Sequence, residues 1–154
     1  MKKLLSIFLV TTSLTVSHFQ TQAAEVTITA TEVWRLRQEC EKIALSFSEQ
    51  IMKSKSHPTA QISLTGYTSH YNIKDNRCYI KIEYSKYYPK QDKIDNLEEL
   101  YDVQTEEELA NTRYSPNNSG GNIFDGFVKY EEFLSNEADR HTQAESYIKT
   151  KMSQ

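Results

Sequence analysis

The chain has 154 residues, with 18 Lys and Arg against 21 Asp and Glu and a formal net charge of −3. That acidic balance argues against nucleic acid as a partner, because phosphate binding needs a basic footprint. There is no internal repeat and no low-complexity linker, and no stretch beyond the N-terminus is apolar enough to span a bilayer.

Met1-Lys2-Lys3 is a positive n-region, Leu4 to Val16 an uncharged, mostly apolar run, and Thr21 and Ala23 stand at the −3 and −1 positions of a cleavage site. This pattern predicts a secretory signal peptide over residues 1–23 and a single domain over 24–154. About 130 residues remain after cleavage, enough to bury a core without metals. Loss of Lys2 and Lys3 leaves 16 bases against 21 acids, a net charge near −5. The expected location is periplasmic or secreted.

Thr31 to Ser56 reads as one helix. Val33, Leu36, Cys40, Ile43, Phe47 and Ile51, with Ala44, recur in steps of three and four and share a face. Thr31 is the expected cap, and His57-Pro58 stops the helix. Ala60 to Tyr71 reads as a strand, and the Asn72–Asn76 segment as a turn rich in residues that tolerate turn geometry. Arg77 to Ser85 alternates, with Cys78, Ile80, Ile82 and Tyr84 on one side and Arg77, Tyr79, Lys81 and Glu83 on the other. Two independent periodicities therefore turn Cys40 and Cys78 inward. In an oxidising compartment they are expected to form a disulfide.

Two hairpin registers are open. Pairing Tyr71 with Arg77 turns His70 inward. Pairing Tyr71 with Cys78 turns Tyr67 and Tyr71 inward and sets His70 outward, opposite Tyr79. The second buries more apolar area and uses Gly66 as a bulge that switches faces, so it is preferred. In that register Thr68, His70, Arg77, Tyr79 and Lys81 share an outer face. His70, Arg77 and Tyr79 are then the candidate ligand-binding residues, since tyrosine offers rigid contact area and His and Arg offer donors. The competing interpretation is that the C-terminal segment covers this face and the tyrosines are packing.

Tyr87 to Asn96 reads as a loop and Leu97 to Val103 as a third strand. The stretch QTEEELANTRY is ambiguous between helix and strand. Ser115 to Asn122 is a loop that carries an Asn117-Asn118-Ser119 glycosylation triplet. Asp125 to Lys149 reads as a second helix, with Phe127, Tyr130, Phe133, Leu134, Ala138, His141, Ala144, Tyr147 and Ile148 as its apolar stripe. Charge is segregated. Lys74 to Lys93 holds six bases and three acids, while Asp95 to Glu108 holds seven acids and no base. Two solvated faces of opposite sign are expected.

No HExxH, paired CxxC, phosphate-binding Gly-rich loop or nucleophile elbow is present. Glu137 and His141 stand four apart on the second helix, which suggests an ion pair sooner than a metal site. His70 beside Asp75 is a conceivable general base without a nucleophile or second acid. No catalytic residue, metal or cofactor is therefore assigned.

His70, Tyr71 and Asn72 entering the Cys78 strand, with Cys40 upstream and Leu100-Tyr101-Asp102 downstream, resemble a family of small exported bacterial proteins of unknown function. The resemblance covers roughly residues 40–114. Some relatives carry further cysteines towards the C-terminus, and this chain has none. The resemblance implies the fold outline and carries no activity.

The expected fold is therefore α+β, a long N-terminal helix disulfide-linked to a three-stranded antiparallel sheet, with a C-terminal helix. The expected role is a non-catalytic binding or interaction module whose partner is a periplasmic or cell-envelope protein. The alternative is an inhibitor or accessory protein of a cell-envelope enzyme, with acids from Glu98 to Glu108 meeting a basic partner.

Overall fold

The computed structural model describes residues 28–116, 121–131 and 134–153. The predicted signal peptide, the glycosylation triplet and Phe133 lie outside them. The first element is α1 (Ala30–Ser54). Its cap is Thr29, whose hydroxyl accepts from the Glu32 amide at 3.2 Å, two residues before the predicted position. A capping oxygen of this kind satisfies one of the orphan amides of a helix start. On the solvent face Arg35 pairs with Glu32 and Glu39, one turn away on either side.

Five strands follow, β1 (Gln61–Asn72), β2 (Arg77–Tyr88), β3 (Lys93–Asp102), β4 (Glu107–Ser115) and β5 (Ile123–Val128). They form one antiparallel meander in the order β1-β2-β3-β4-β5. The chain closes on α2 (Glu137–Lys151), capped by Asn136, whose side chain accepts from the Ala138 amide at 2.9 Å. Acids in the first turn of α2 and lysines in its last complement the helix dipole.

The α+β class holds, but the sheet is five-stranded, not three-stranded. The acidic segment read as ambiguous is β4, and the first residues of the predicted second helix are β5 and a turn. The first departure has a local origin. Glu106 adopts a left-handed φ of 57° and closes the turn between β3 and β4. That places Glu107 to Ser115 beside β3, where the open edge of β3 hydrogen-bonds it as a strand regardless of its helix-forming composition. The predicted loop 87–96 is likewise mostly strand, with a turn in which Asp92 has φ 45°.

The hairpin adopts the preferred register, with Tyr71 opposite Cys78 and His70 opposite Tyr79. A bulge between Leu64 and Gly66 keeps Ile62, Leu64, Tyr67 and Tyr71 on one side. Cys40 and Cys78 form the expected disulfide, with Cα atoms 5.5 Å apart. The first core lies between α1 and that side of the sheet, where Cys40, Ala44 and Phe47 pack on Tyr71, Ile80, Ile82 and Tyr84. Burying side chains of this size contributes roughly 1.5–3 kcal/mol each. Two residues expected inward are not, since Ile43 and Tyr67 lie at the margins of the helix–sheet contact and are exposed.

A second core occupies the opposite face, where Ala144 and Ile148 of α2 meet Tyr79, Leu100, Ala110 and Val128. The helix comes close because β5 presents bare backbone at Gly126. A Cβ there would stand 2.6 Å from the Arg140 carbonyl oxygen. Arg140 anchors the same contact, its Nε donating to Asp125 at 2.9 Å.

Candidate functional site

The three residues singled out as a surface separate in the fold. Tyr79 is 4% exposed, buried beneath α2. Its hydroxyl donates to Asp75 at 2.8 Å. Lys151, at the end of α2, donates to the same carboxylate at 2.6 Å and sits 5.5 Å from the centre of the Tyr79 ring. Hydrogen bonds from Lys151 and Tyr79 hold the Asp75 carboxyl below its usual range. Burial, and then the Asp75 carboxylate, push the Tyr79 phenol well above its usual value. Arg77 stands at the margin and pairs with Asp102 at 3.5 Å.

Neighbouring groups complete this clamp on the C-terminus. The Asn72 side chain is fully buried. Its Nδ2 donates to the Lys151 carbonyl at 3.3 Å, and its Oδ1 accepts from the Asp75 amide at 2.9 Å. The turn that joins β1 to β2 thus grips the end of α2. With Asp75 held by Tyr79 and Lys151, it has no free role as the partner of a general base at His70.

Of the three, His70 lines a groove. Because α2 packs chiefly on β5 and β4 and reaches β2 only at its end, a groove is left on that sheet face among the described residues. One cavity of about 550 Å³ is lined by Thr68, His70, Lys81, Glu98, Glu145 and Ile148, among others. A second of about 430 Å³ shares Glu98 and Glu145 and runs on to Tyr114, Phe124 and His141. Lys81 bridges Glu83 at 2.9 Å and Glu98 at 3.2 Å on the groove floor. Phe124 sits between Tyr114, which it meets tilted, and His141, which it meets edge to face, with both centroid distances 5.1 Å.

No family model, curated protein or solved structure matches the chain. The groove must therefore be judged by its own chemistry. It offers an aromatic wall, a floor of paired charges and two imidazoles at its margins, His70 and His141. His141 does not pair with Glu137 as the sequence suggested. Its Nδ1 lies 3.7 Å from Glu145, and Glu137 lies 3.9 Å from Arg140. Among the described residues no three or more His, Cys, Asp or Glu converge as a metal site.

The predicted acidic face is dispersed by strand alternation. Glu98 faces the groove. Glu99 points to the other side and is 3% exposed, accepting from Tyr101 and Lys55, both at 2.8 Å, and from Tyr84. Asp95 is also buried, held by Ser115, Lys93 and Arg113. Burial works to raise its carboxyl, but those three partners outweigh it and hold it below the usual range. Glu107 pairs with Lys129 at 2.8 Å. The basic run meets the acidic one at Arg77–Asp102, Lys81–Glu98 and Lys93–Asp95, and Lys55, Arg113 and Lys129 from outside it pair with Glu99, Asp95 and Glu107, so the two runs do not form separate faces.

Glu145, Phe124 and Tyr114 were not anticipated as groove residues. Phe124 fell at the edge of a loop, and Tyr114 in the ambiguous segment. Only the position of Glu145, four residues after His141, was legible.

Proposed function

We propose that the chain is an exported protein, periplasmic or secreted, acting as a non-catalytic interaction module that engages a partner protein through the groove beside α2. The observation that carries this is the groove running from His70 past Lys81 and Glu98 to the Tyr114–Phe124–His141 wall. Rigid aromatic surface beside a few placed polar groups is what a protein-binding groove requires. Export is supported by the Cys40–Cys78 disulfide, which persists in oxidising compartments. No described helix is long and apolar enough to cross a membrane. The alternative, an inhibitor whose acids meet a basic enzyme, draws less support because Glu99 and Asp102 are buried and partnered.

The test is a photo-crosslinking residue at Glu145 or Lys149 on the groove rim, with Lys90 in the β2–β3 turn as control, in protein expressed in the periplasm. A discrete adduct at the rim positions and none at Lys90 is expected, with the adduct lost on His70→Ala. No adduct at the rim, or equal labelling at all three positions, overturns the proposal.

A further inference from the structure

The acids and the aromatic wall of the groove beside α2 lie in register across the sheet. Glu83 stands directly opposite Glu98, and Glu98 opposite Thr112. Two residues further along, Asn96 stands opposite Tyr114, and Tyr114 opposite Phe124. Residues two apart on a strand share a face, so the carboxylate row and the aromatic row project to the same side, the side of α2. Diagonal neighbours on a sheet face are about 7–8 Å apart, within reach of aromatic and long side chains. Glu98 and Tyr114 are such neighbours. Helix α2 supplies the facing side, with His141 edge to face on Phe124 and Glu145 one turn further on.

The charges specify an occupant. Like charges directly opposite on adjacent strands are destabilising, yet Glu83 and Glu98 are placed so, with one cation, Lys81, bonded to both. Glu145 adds a third carboxylate, beside the His141 imidazole at 3.7 Å. The cavity of about 430 Å³ that these groups share has three glutamates and no lysine or arginine among the described residues that line it. Aromatic faces attract cations, and carboxylates accept their strongest hydrogen bonds from them. A guanidinium suits both, since its plane stacks on a ring while its fork donates to carboxylates, and an ammonium lacks that plane. We infer that the Tyr114 end of the groove receives an arginine side chain of the partner protein. The guanidinium lies on the Tyr114–Phe124 wall and donates to Glu98 and Glu145. The adjoining cavity shares both glutamates and continues past Ile148, which gives the rest of a polypeptide a path away from the cation. The inference rests on the groove being a protein-binding site and names the chemistry of its partner.

The probe is arginine capped as its acetyl and methylamide derivative, added to the exported, oxidised protein at low ionic strength and followed by amide chemical shifts. Saturable binding is expected, with shifts confined to residues 112–114, 124 and 141–145. Capped citrulline, which has the same shape without the charge, gives no saturable shift, and capped lysine binds more weakly. Glu145→Gln and Phe124→Leu each weaken binding roughly two- to fivefold, the scale of one exposed charge pair or one cation–ring contact. Glu145 and Phe124 are both partly exposed, so the variants keep the fold, which their amide spectra check. Glu49→Gln, an exposed acid on α1, leaves binding unchanged. Absence of saturable binding, equal binding of citrulline, shifts centred on α1, or indifference to both groove variants overturns the inference. A crosslinked adduct at the groove rim without arginine binding removes the arginine and leaves the interaction module standing. Arginine binding without an adduct removes the protein partner.

Discussion

Replacing Gly126 by alanine tests how α2 is seated, and the seat of α2 defines both the buried tyrosine and the groove. The new Cβ would stand 2.6 Å from the Arg140 oxygen, 2.9 Å from its carbonyl carbon and 2.9 Å from the Ala144 Cβ. Two of those atoms are helix backbone, so no side chain can rotate away. Restoring a normal contact requires α2 to lift by about 1 Å, and a gap of that size forfeits a quarter to a half of the dispersion attraction of the atoms it separates. Ala144 and Ile148, both essentially buried, lose packing together. The expected loss is about 2–3 kcal/mol, the upper part of the range for overpacking. Gly66→Ala is the control, because its Cβ meets only the end of the Glu83 side chain at 3.0 Å, and its cost stays within about 0.5 kcal/mol. Urea denaturation of both variants measures the difference. Equal midpoints for the two, or a Gly126→Ala midpoint matching wild type, would refute the close seating of α2 on β5.

Two further outcomes follow from the bonds already described. Removing the bridge with Cys40→Ala and Cys78→Ala opens a loop of sequence separation 38 and should lower stability by about 4 kcal/mol on the loop-entropy relation; a loss under about 1 kcal/mol in urea would show that the clamp is redundant. Stability should also fall at both ends of the pH scale. Asp75 and Asp95 have folded values held below the unfolded one, so their contribution is whole above about pH 4 and drains away as pH falls through the lowered values. Tyr79, Tyr84 and Tyr101 are raised, first by burial and then by adjacent carboxylates, so theirs is whole below about pH 10 and is lost as pH rises past it. Absorbance at alkaline pH should show these three titrating only with unfolding, and free titration of all ten tyrosines in the folded state would contradict their burial.

Half of this architecture is legible in the chain. In α1 and the first hairpin each local signal agrees with the others, and apolar parity and Gly66 both favour one register. In β4 they conflict. Glu107, Glu108, Leu109 and Ala110 are helix formers, and the strand's buried positions include Thr112 and Ser115, which carry no apolar signal. Its conformation comes from neighbours on both sides, information that no local window contains. The segment Ile123–Val128 fails differently. Apolar residues at 123, 124, 127 and 128 satisfy a helical spacing as well as a strand with two half-buried faces. The true helix start was nonetheless written in Asn136-Glu137, a cap followed by an acid.

The motif that carried the resemblance takes on a structural meaning in the fold. Tyr71 is core, Cys78 is the bridge, Asn72 grips the end of α2, and Asp102 receives Arg77. Each binds one part of the chain to another, and several are buried too deeply to meet a ligand. A chain can keep this motif and change its partner, because the exposed groups of the groove beside α2 lie largely outside it. His70 is the exception. It belongs to the motif, yet it lines the groove beside α2 and also the cleft under Arg37 and Glu41. Substitution at His70 should therefore disturb binding more than folding, the opposite of what the clamp places on Asn72.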